Sequence, residues 1–415
     1  MTGYVFYESP PFKKSNILVG FEFKNKKEHI VEFNGFKTFK RSYGLDEIAL
    51  VPSQKTFDVS LVDISVNIAG VKLDIPIFAS AMDSVVSPKT AVLFDQLGAI
   101  GVLNLEGVQT RYADTDAILK EIAAVSKTEY VNLMQKIYQA PINFDLVAQR
   151  IKEVKDQRAR VVVSSTPQMA SKLGPIAVKA GADLFLIQST VVSTEFITDD
   201  PHKILDLRSF VNQMQIPVMV GNSATYPVTL DLLRTGVKAV FVGIGPGAAC
   251  TTRGVLGIGV PMASSISHAA KAREDYFHET GQYVPIIADG GIVNSGDICK
   301  ALAVGADAVM IGSPFAKATE APGNGFHWGM ATPNAVLPRG SRIEVGTIAT
   351  LKEILVGPSN TDDGSQNLAG AIKLAMATLG AQNIREMHQT EVVIGPSLLT
   401  EGKIYQKAQG LGMYK

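Results

Sequence analysis

The chain of 415 residues is short of cysteine, of net charge and of long apolar runs. Only Cys250 and Cys299 occur, which excludes a disulfide framework and points to a reducing, cytoplasmic setting. The 39 basic and 39 acidic side chains cancel to a formal net charge of zero. That argues against a nucleic-acid surface, whose affinity comes from massed Lys and Arg. No stretch approaches the apolar length needed to cross a bilayer, so no membrane partner is expected. The opening residues, MTGYVFYESPPFKKSN, hold no continuous apolar run and do not read as a secretory signal.

What the chain does have is material for a core. Hydrophobic residues make up 46% and charged residues 19%, and the length suits one barrel with decorations. From about residue 61 a short apolar run, a turn with Gly or Asn and a helix-like stretch recur. Eight strands are expected: 75–78, 100–103, 161–163, 184–187, 218–220, 239–242, 286–288 and 308–311. Their runs are continuous rather than alternating, which marks strands buried on both faces and hence a parallel sheet. Eight strand-then-helix units predict an α/β fold, a closed (β/α)8 TIM barrel with its functional residues at the C-terminal strand ends. Residues 1–60 are expected to form an N-terminal extension, 61–357 the barrel and 358–415 C-terminal helices and a tail. Two regions break the period. Residues 106–160 form a mostly helical insert after the second strand, and the loop-rich stretch after the eighth strand is expected to carry a flap at 329–345.

The stretch GIGPGAACTT, residues 243–252, follows a buried strand and ends on a thiol between glycines and hydroxyls. Such a loop can present Cys250 to a small molecule. Read alone, Cys250 is equally a nucleophile or a small packed hydrophobe. The loops after the seventh and eighth strands, DGGIVNSGD and GSPFAKA, are glycine-rich and lead into helices. Gly291, Gly312 and Ser313 are phosphate-binding candidates, against the alternative of simple tight turns. Asp289 ends the seventh strand and can accept the two hydroxyls of a ribose. Phosphate, diol and thiol on one barrel face suggest a nucleotide whose ring is attacked by Cys250. Cys299 reads as structural.

The segments GVKLDIPIFASAMDSVV, GNSATYP, GIGPGAACTTRGVLGIGVP, IIADGGIVNSGDICKALAVGADAVMIG and WGMA stand in this order and resemble the IMP dehydrogenase/GMP reductase family. The resemblance runs from about residue 45 to 357. It implies the barrel, a purine nucleotide (GMP or IMP), a nicotinamide cofactor and a catalytic cysteine. It places Cys250 at purine C2, Asp289 at the ribose, and Gly291, Gly312 and Ser313 at the phosphate. Ser80 and Met82 would line the base, Met330 would meet its edge, and Asn222 and Gly247 would sit beside the reacting ring. The cofactor would lie near Gln188, Ser189 and Thr190. Backbone carbonyls of Gly245, Gly247 and Cys250 would form the K+ site that a dehydrogenase of this family uses. The family also implies a homotetramer or homo-octamer.

Three features point within the family toward a reductase. The insert is too short for the CBS domains that most dehydrogenases of the family carry. Cys250-Thr251-Thr252-Arg253 resembles the reductase wording. The Arg-Tyr pair that activates water in a dehydrogenase is absent, since residues 329–345 hold Arg339 and Arg342 but no tyrosine. The chain also departs from both branches: Ala248 replaces a phosphate-binding serine, Gln188 replaces an aspartate near the nicotinamide, and Arg339 stands at the position of a catalytic glutamate, with Glu344 nearby. Its ends resemble a third, "IMP dehydrogenase-related" branch. The expected activity is NADPH-dependent reductive deamination of GMP to IMP through a Cys250 thioimidate, assisted by Thr252 and Glu344. The alternatives are an IMP dehydrogenase using NAD, with Arg339 or Arg342 activating water, and a catalytically weak nucleotide-binding regulatory protein.

Overall fold

Strand residues of this chain are apolar on both faces because each strand separates two cores. Eight parallel strands close into a barrel: β1 (Ile77–Ala79), β2 (Ile100–Asn104), β3 (Val162–Ser165), β4 (Leu184–Gln188), β5 (Val218–Ser223), β6 (Val240–Val242), β7 (Ile286–Asp289) and β8 (Ala308–Ile311). Each pairs with its sequence neighbour, and β8 pairs with β1. The structure, a computed structural model, describes residues 30–33, 37–200, 204–329, 341–395 and 401–412.

The alternation expected of a barrel is visible residue by residue. Phe78, Val102, Leu186, Met219, Phe241, Ile287 and Met310 point inward and form one cluster. Their neighbours Ile77, Leu103, Ile187, Val220, Val242, Ile286 and Ile311 point outward against the helices. Phe78 and Phe241 meet edge to face with ring centroids 5.7 Å apart. Ile68 and Leu73 join the inner cluster from the hairpin Val66–Ile68 with Val71–Leu73, just before β1. They stopper the end of the barrel from which the strands start, leaving the C-terminal strand ends to build a site.

The insert after β2 holds three helices: α1 (Thr115–Ala124), α2 (Tyr130–Gln139) and α3 (Phe144–Lys155). Asn143 caps α3, its side chain accepting from the N–H groups of Asp145 and Leu146. Leu119, Ile122, Met134, Ile137 and Tyr138 pack with Val108 and Trp328 into a third, smaller cluster. The C-terminal segment folds back on the chain's early part, with Val392–Ile394 antiparallel to Ile48–Leu50. Ser42–Lys415 therefore form one compact unit, and the expected extension of residues 1–60 divides at residue 41. This happens because Ile48–Leu50 is captured by a strand from the far end of the chain. In the other unit, Met1–Arg41, the strands Ile30–Phe33 and Lys37–Lys40 form an antiparallel pair. Among the described residues no helix is long and apolar enough to cross a membrane.

Candidate active site

The loop after β6 is shaped by close approach. Gly243 has φ +146°, and a Cβ there would lie 2.1 Å from the Asp289 carbonyl oxygen. Only glycine lets this loop leave β6 pressed against β7. The loop then turns on the Cys250 N–H, which donates to the Gly247 carbonyl at 3.0 Å. That carbonyl is one of the three expected to face a monovalent cation, and one of its lone pairs is engaged here. Cys250 is exposed, and its Sγ–H donates to Thr252 Oγ1 at 3.2 Å. Thr252 is 2% exposed. The other thiol, Cys299, is buried in the helix Ser295–Ala303, and burial pushes it up to about 12. One cysteine is thus packed and inert, the other offered to solvent on the barrel's C-terminal face.

Asp289 ends β7 and is the centre of a compact polar group. Its Oδ2 accepts the Asn222 amide at 2.7 Å and the Gln188 amide at 2.8 Å. Asn222 Nδ2 also donates to the Gly243 carbonyl at 2.8 Å, and Gln188 Nε2 lies 3.2 Å from Asn222 Oδ1. Among the described residues no donor reaches Asp289 Oδ1, so half of the carboxylate remains open. Burial raises this carboxyl to about 6, against the two amides that lower it. Gln188, the residue expected near a nicotinamide, gives its amide to Asp289. An aspartate there would place a second negative charge against Asp289, where the Gln188 amide donates instead. Ser189 and Thr190 follow, half-buried, with the Ser189 N–H donating to the Gly221 carbonyl at 2.9 Å.

The loops after β1 and β8 meet at Gly312. A Cβ on Gly312 would lie 3.1 Å from Met82 Sδ, 3.2 Å from His327 Cε1 and 3.3 Å from Ser80 Oγ. A side chain there would have to push these neighbours back by a few tenths of an ångström. Ser313 begins the single helical turn Ser313–Ala316, and Gly312 precedes it. Gly291, after β7, packs on Pro246 of the Cys250 loop, where an added Cβ would lie 2.9 Å from the proline Cβ. Contacts with Met310 link this loop cluster to the Asp289 group, since the Gly290 N–H donates to the Met310 carbonyl at 3.2 Å. All the described candidates except Glu344 thus gather at the C-terminal strand ends.

Glu344 is exposed on the short strand Ile343–Glu344, which pairs antiparallel with Phe326–His327. No hydrogen bond joins it to Thr252 among the described residues. Arg342, one of the two arginines weighed as a water activator, is held elsewhere. Its Nη1 and Nη2 donate to the carbonyls of Ile122, Ala123 and Val125 at 2.7–3.0 Å, and its guanidinium lies 4.2 Å over Phe326. Arg339 and Met330 lie outside the described residues. The Ser341 N–H donates to the Ala249 carbonyl at 3.0 Å, so the chain returns from this stretch onto the Cys250 loop.

Residues 42–340 match the sequence profile of the IMP dehydrogenase / GMP reductase domain. The chain belongs to this family. A family protein from Corynebacterium glutamicum, whose crystal structure is described as IMP dehydrogenase/GMP reductase-like, superposes with a TM-score of 0.83 at 35% identity, covering 88% of this chain and 97% of that one. A Mycolicibacterium smegmatis protein named an uncharacterized oxidoreductase is 36% identical over 375 residues, 88% of this chain and all of the relative. An inosine-5'-monophosphate dehydrogenase of Methanocaldococcus jannaschii is 27% identical, over 86% of this chain and 94% of that enzyme. The chain is therefore an oxidoreductase of the IMP dehydrogenase/GMP reductase family, which acts on IMP- and GMP-type nucleotides with nicotinamide cofactors.

Two residues beside the site escape a motif-based reading. His327 is 2% exposed and packs against Gly312, with Nδ1 3.0 Å from Ser84 Oγ. Burial alone lowers it to about 4, so it is neutral at physiological pH. Tyr138 reaches the loop after β1 from helix α2, which the sequence reading of the insert passed over. The available signal was the spacing of Met134, Ile137 and Tyr138 on one helical face.

Proposed function

We propose that the chain is a GMP reductase that works through a covalent thioimidate on Cys250. The observation that carries this reading is an exposed thiol whose one side-chain partner among the described residues is a buried threonine hydroxyl 3.2 Å away. Around it lie a half-open carboxylate and two glycine-rich loops on the same barrel face.

The Asp289 carboxylate accepts the ribose hydroxyls through its open oxygen, while Asn222 and Gln188 hold the other. The loops at Gly291 and Gly312–Ser313 take the phosphate, and Ser80 and Met82 flank the base. The Cys250 thiolate adds to C2 of the purine, and N3 gains a proton. The C2–N bond to the amino group then breaks, ammonia departs with a proton that Thr252 helps to deliver, and N3 gives up its proton as the C2=N3 bond re-forms. Ser189 and Thr190 would hold the reduced nicotinamide, which when bound would supply the hydride that C2 needs. Expulsion of the Cys250 thiolate releases IMP. Thr252 can accept from the thiol or donate to the thiolate, so it serves the sulfur in both states. No water need be activated, which agrees with the absence of a tyrosine from residues 329–345 and with the engagement of Arg342 by the α1 carbonyls.

One observation favours a second reading. The Methanocaldococcus jannaschii relative is named an IMP dehydrogenase, and a dehydrogenase would form the same thioimidate and hydrolyse it. Two assays separate the directions: loss of NADPH absorbance with GMP, and gain of NADH absorbance with IMP, NAD and potassium. The reductase reading requires the first, abolished by Cys250→Ala. Turnover only of IMP with NAD would replace it by the dehydrogenase. Nucleotide binding without either turnover would leave a regulatory nucleotide-binding protein.

A further inference from the structure

We propose that Tyr138, on insert helix α2, is a positioning residue for the purine-lining loop after β1; this rests on the nucleotide site proposed above. One hydroxyl joins three chain segments. Tyr138 Oη donates to Asp83 Oδ2 at 2.7 Å, and it accepts the Trp328 indole N–H at 2.9 Å. Asp83 follows Met82 directly, and its Oδ2 also accepts the Val108 N–H at 3.0 Å. The next residue, Ser84, bonds His327 Nδ1 at 3.0 Å, and His327 in turn touches the position that Gly312 keeps open beside Ser80 and Met82. The loop that would face the base is therefore fixed from behind by the insert and by the strand Phe326–His327.

Packing alone does not call for a tyrosine here. The cluster around it is otherwise apolar, built from Val108, Leu119, Ile122, Met134 and Ile137 with Trp328, and a phenylalanine would fill the same space. The hydroxyl is needed because Asp83, 2% exposed, brings a carboxyl into that cluster and Trp328 brings an N–H. Without it the Trp328 N–H would lose its Tyr138 partner and Asp83 Oδ2 would keep only the Val108 N–H, in a place water does not reach. Removing the hydroxyl leaves Asp83 with the Val108 N–H on that oxygen and frees the segment that carries Met82.

The test is GMP binding by calorimetry to the wild-type protein, to Tyr138→Phe and to Ile122→Val. The last variant trims the same cluster without touching a hydrogen bond. Tyr138→Phe should bind GMP about tenfold more weakly, the equivalent of one lost hydrogen bond, while Ile122→Val stays within about twofold at a comparable loss of stability. Trp328 is the only tryptophan in the chain, so its fluorescence reports the bond directly, and its emission should shift to the blue in Tyr138→Phe. Equal GMP affinity in Tyr138→Phe and wild type would overturn the proposal while leaving the nucleotide site intact. Wild-type protein that binds neither GMP nor IMP would overturn both. Should Tyr138→Phe fail to fold, the unaltered protein decides. Saturation with GMP must then shift Trp328 emission, and an unchanged spectrum contradicts the proposal.

Discussion

At the scale of single residues, two buried titrating groups make nucleotide affinity and stability both fall in acid. In the proposed site Asp289 must be ionised to accept two ribose hydroxyls, and burial holds its carboxyl at about 6. Nucleotide affinity should be flat above about pH 7 and fall about tenfold per unit below 6. The nucleotide's own phosphate takes its second proton near 6 as well, so the measurement is titration calorimetry across pH on wild type and Asp289→Asn. The variant should bind weakly and keep only the phosphate's dependence; an equal slope in both would remove Asp289 from the ribose. His327 acts on stability instead. The folded side chain stays neutral down to about 4, whereas its ordinary value is 6.5. Its contribution is thus full above 6.5 and is lost as pH falls toward 4, up to about 3 kcal/mol. Urea unfolding at pH 7 and pH 5 should show a larger loss in wild type than in His327→Asn, and equal losses would contradict the assignment. Of these two residues only Asp289 was legible in the sequence, because an acid at the end of a strand before Gly-Gly belongs to a motif. His327 has no such mark. Its neutrality comes from burial beside Gly312 and against Ser84, which stands 243 positions earlier in the chain.

At the scale of elements, the eight strands were legible because a barrel buries both faces of every strand, and short but unbroken apolar runs betray that. The runs fell within a residue or two of the observed strands, except that β5 continues three residues further, to Ser223. Helix α2 was not legible as a functional element, since its periodicity says only that one face is buried and not that Tyr138 carries a hydroxyl to Asp83. The insert also holds Arg342, whose guanidinium closes the C-terminal end of α1, where unpaired carbonyls and the helix dipole favour a cation. Arg342→Ala should lower stability by about 1–3 kcal/mol, read from urea unfolding, and Arg342→Lys should recover part of it. Unchanged stability with lost turnover would return Arg342 to the chemistry. The sequence suggested an arginine on a mobile flap. The structure ties it to a helix end, because the strands Phe326–His327 and Ile343–Glu344 pair beside the insert.

At the scale of the whole molecule, the fold divides its labour along the barrel axis. The hairpin before β1 and the inner cluster close one end, and the loops after the strands build chemistry at the other. Zero net charge suits a protein whose affinity comes from a few convergent groups rather than a charged surface. The chain's two ends were the least legible part, because the pairing of Ile48–Leu50 with Val392–Ile394 joins segments more than 300 residues apart and leaves no local pattern. The central claim is that Cys250 carries the purine during turnover. It is tested most directly by quenching the enzyme with acid while it consumes GMP and NADPH, then weighing the protein and its peptides. The account predicts a purine-nucleotide adduct on the peptide holding Cys250, absent from the inactive Cys250→Ala variant. Turnover that persists in Cys250→Ala, with no adduct in the wild type, would contradict it.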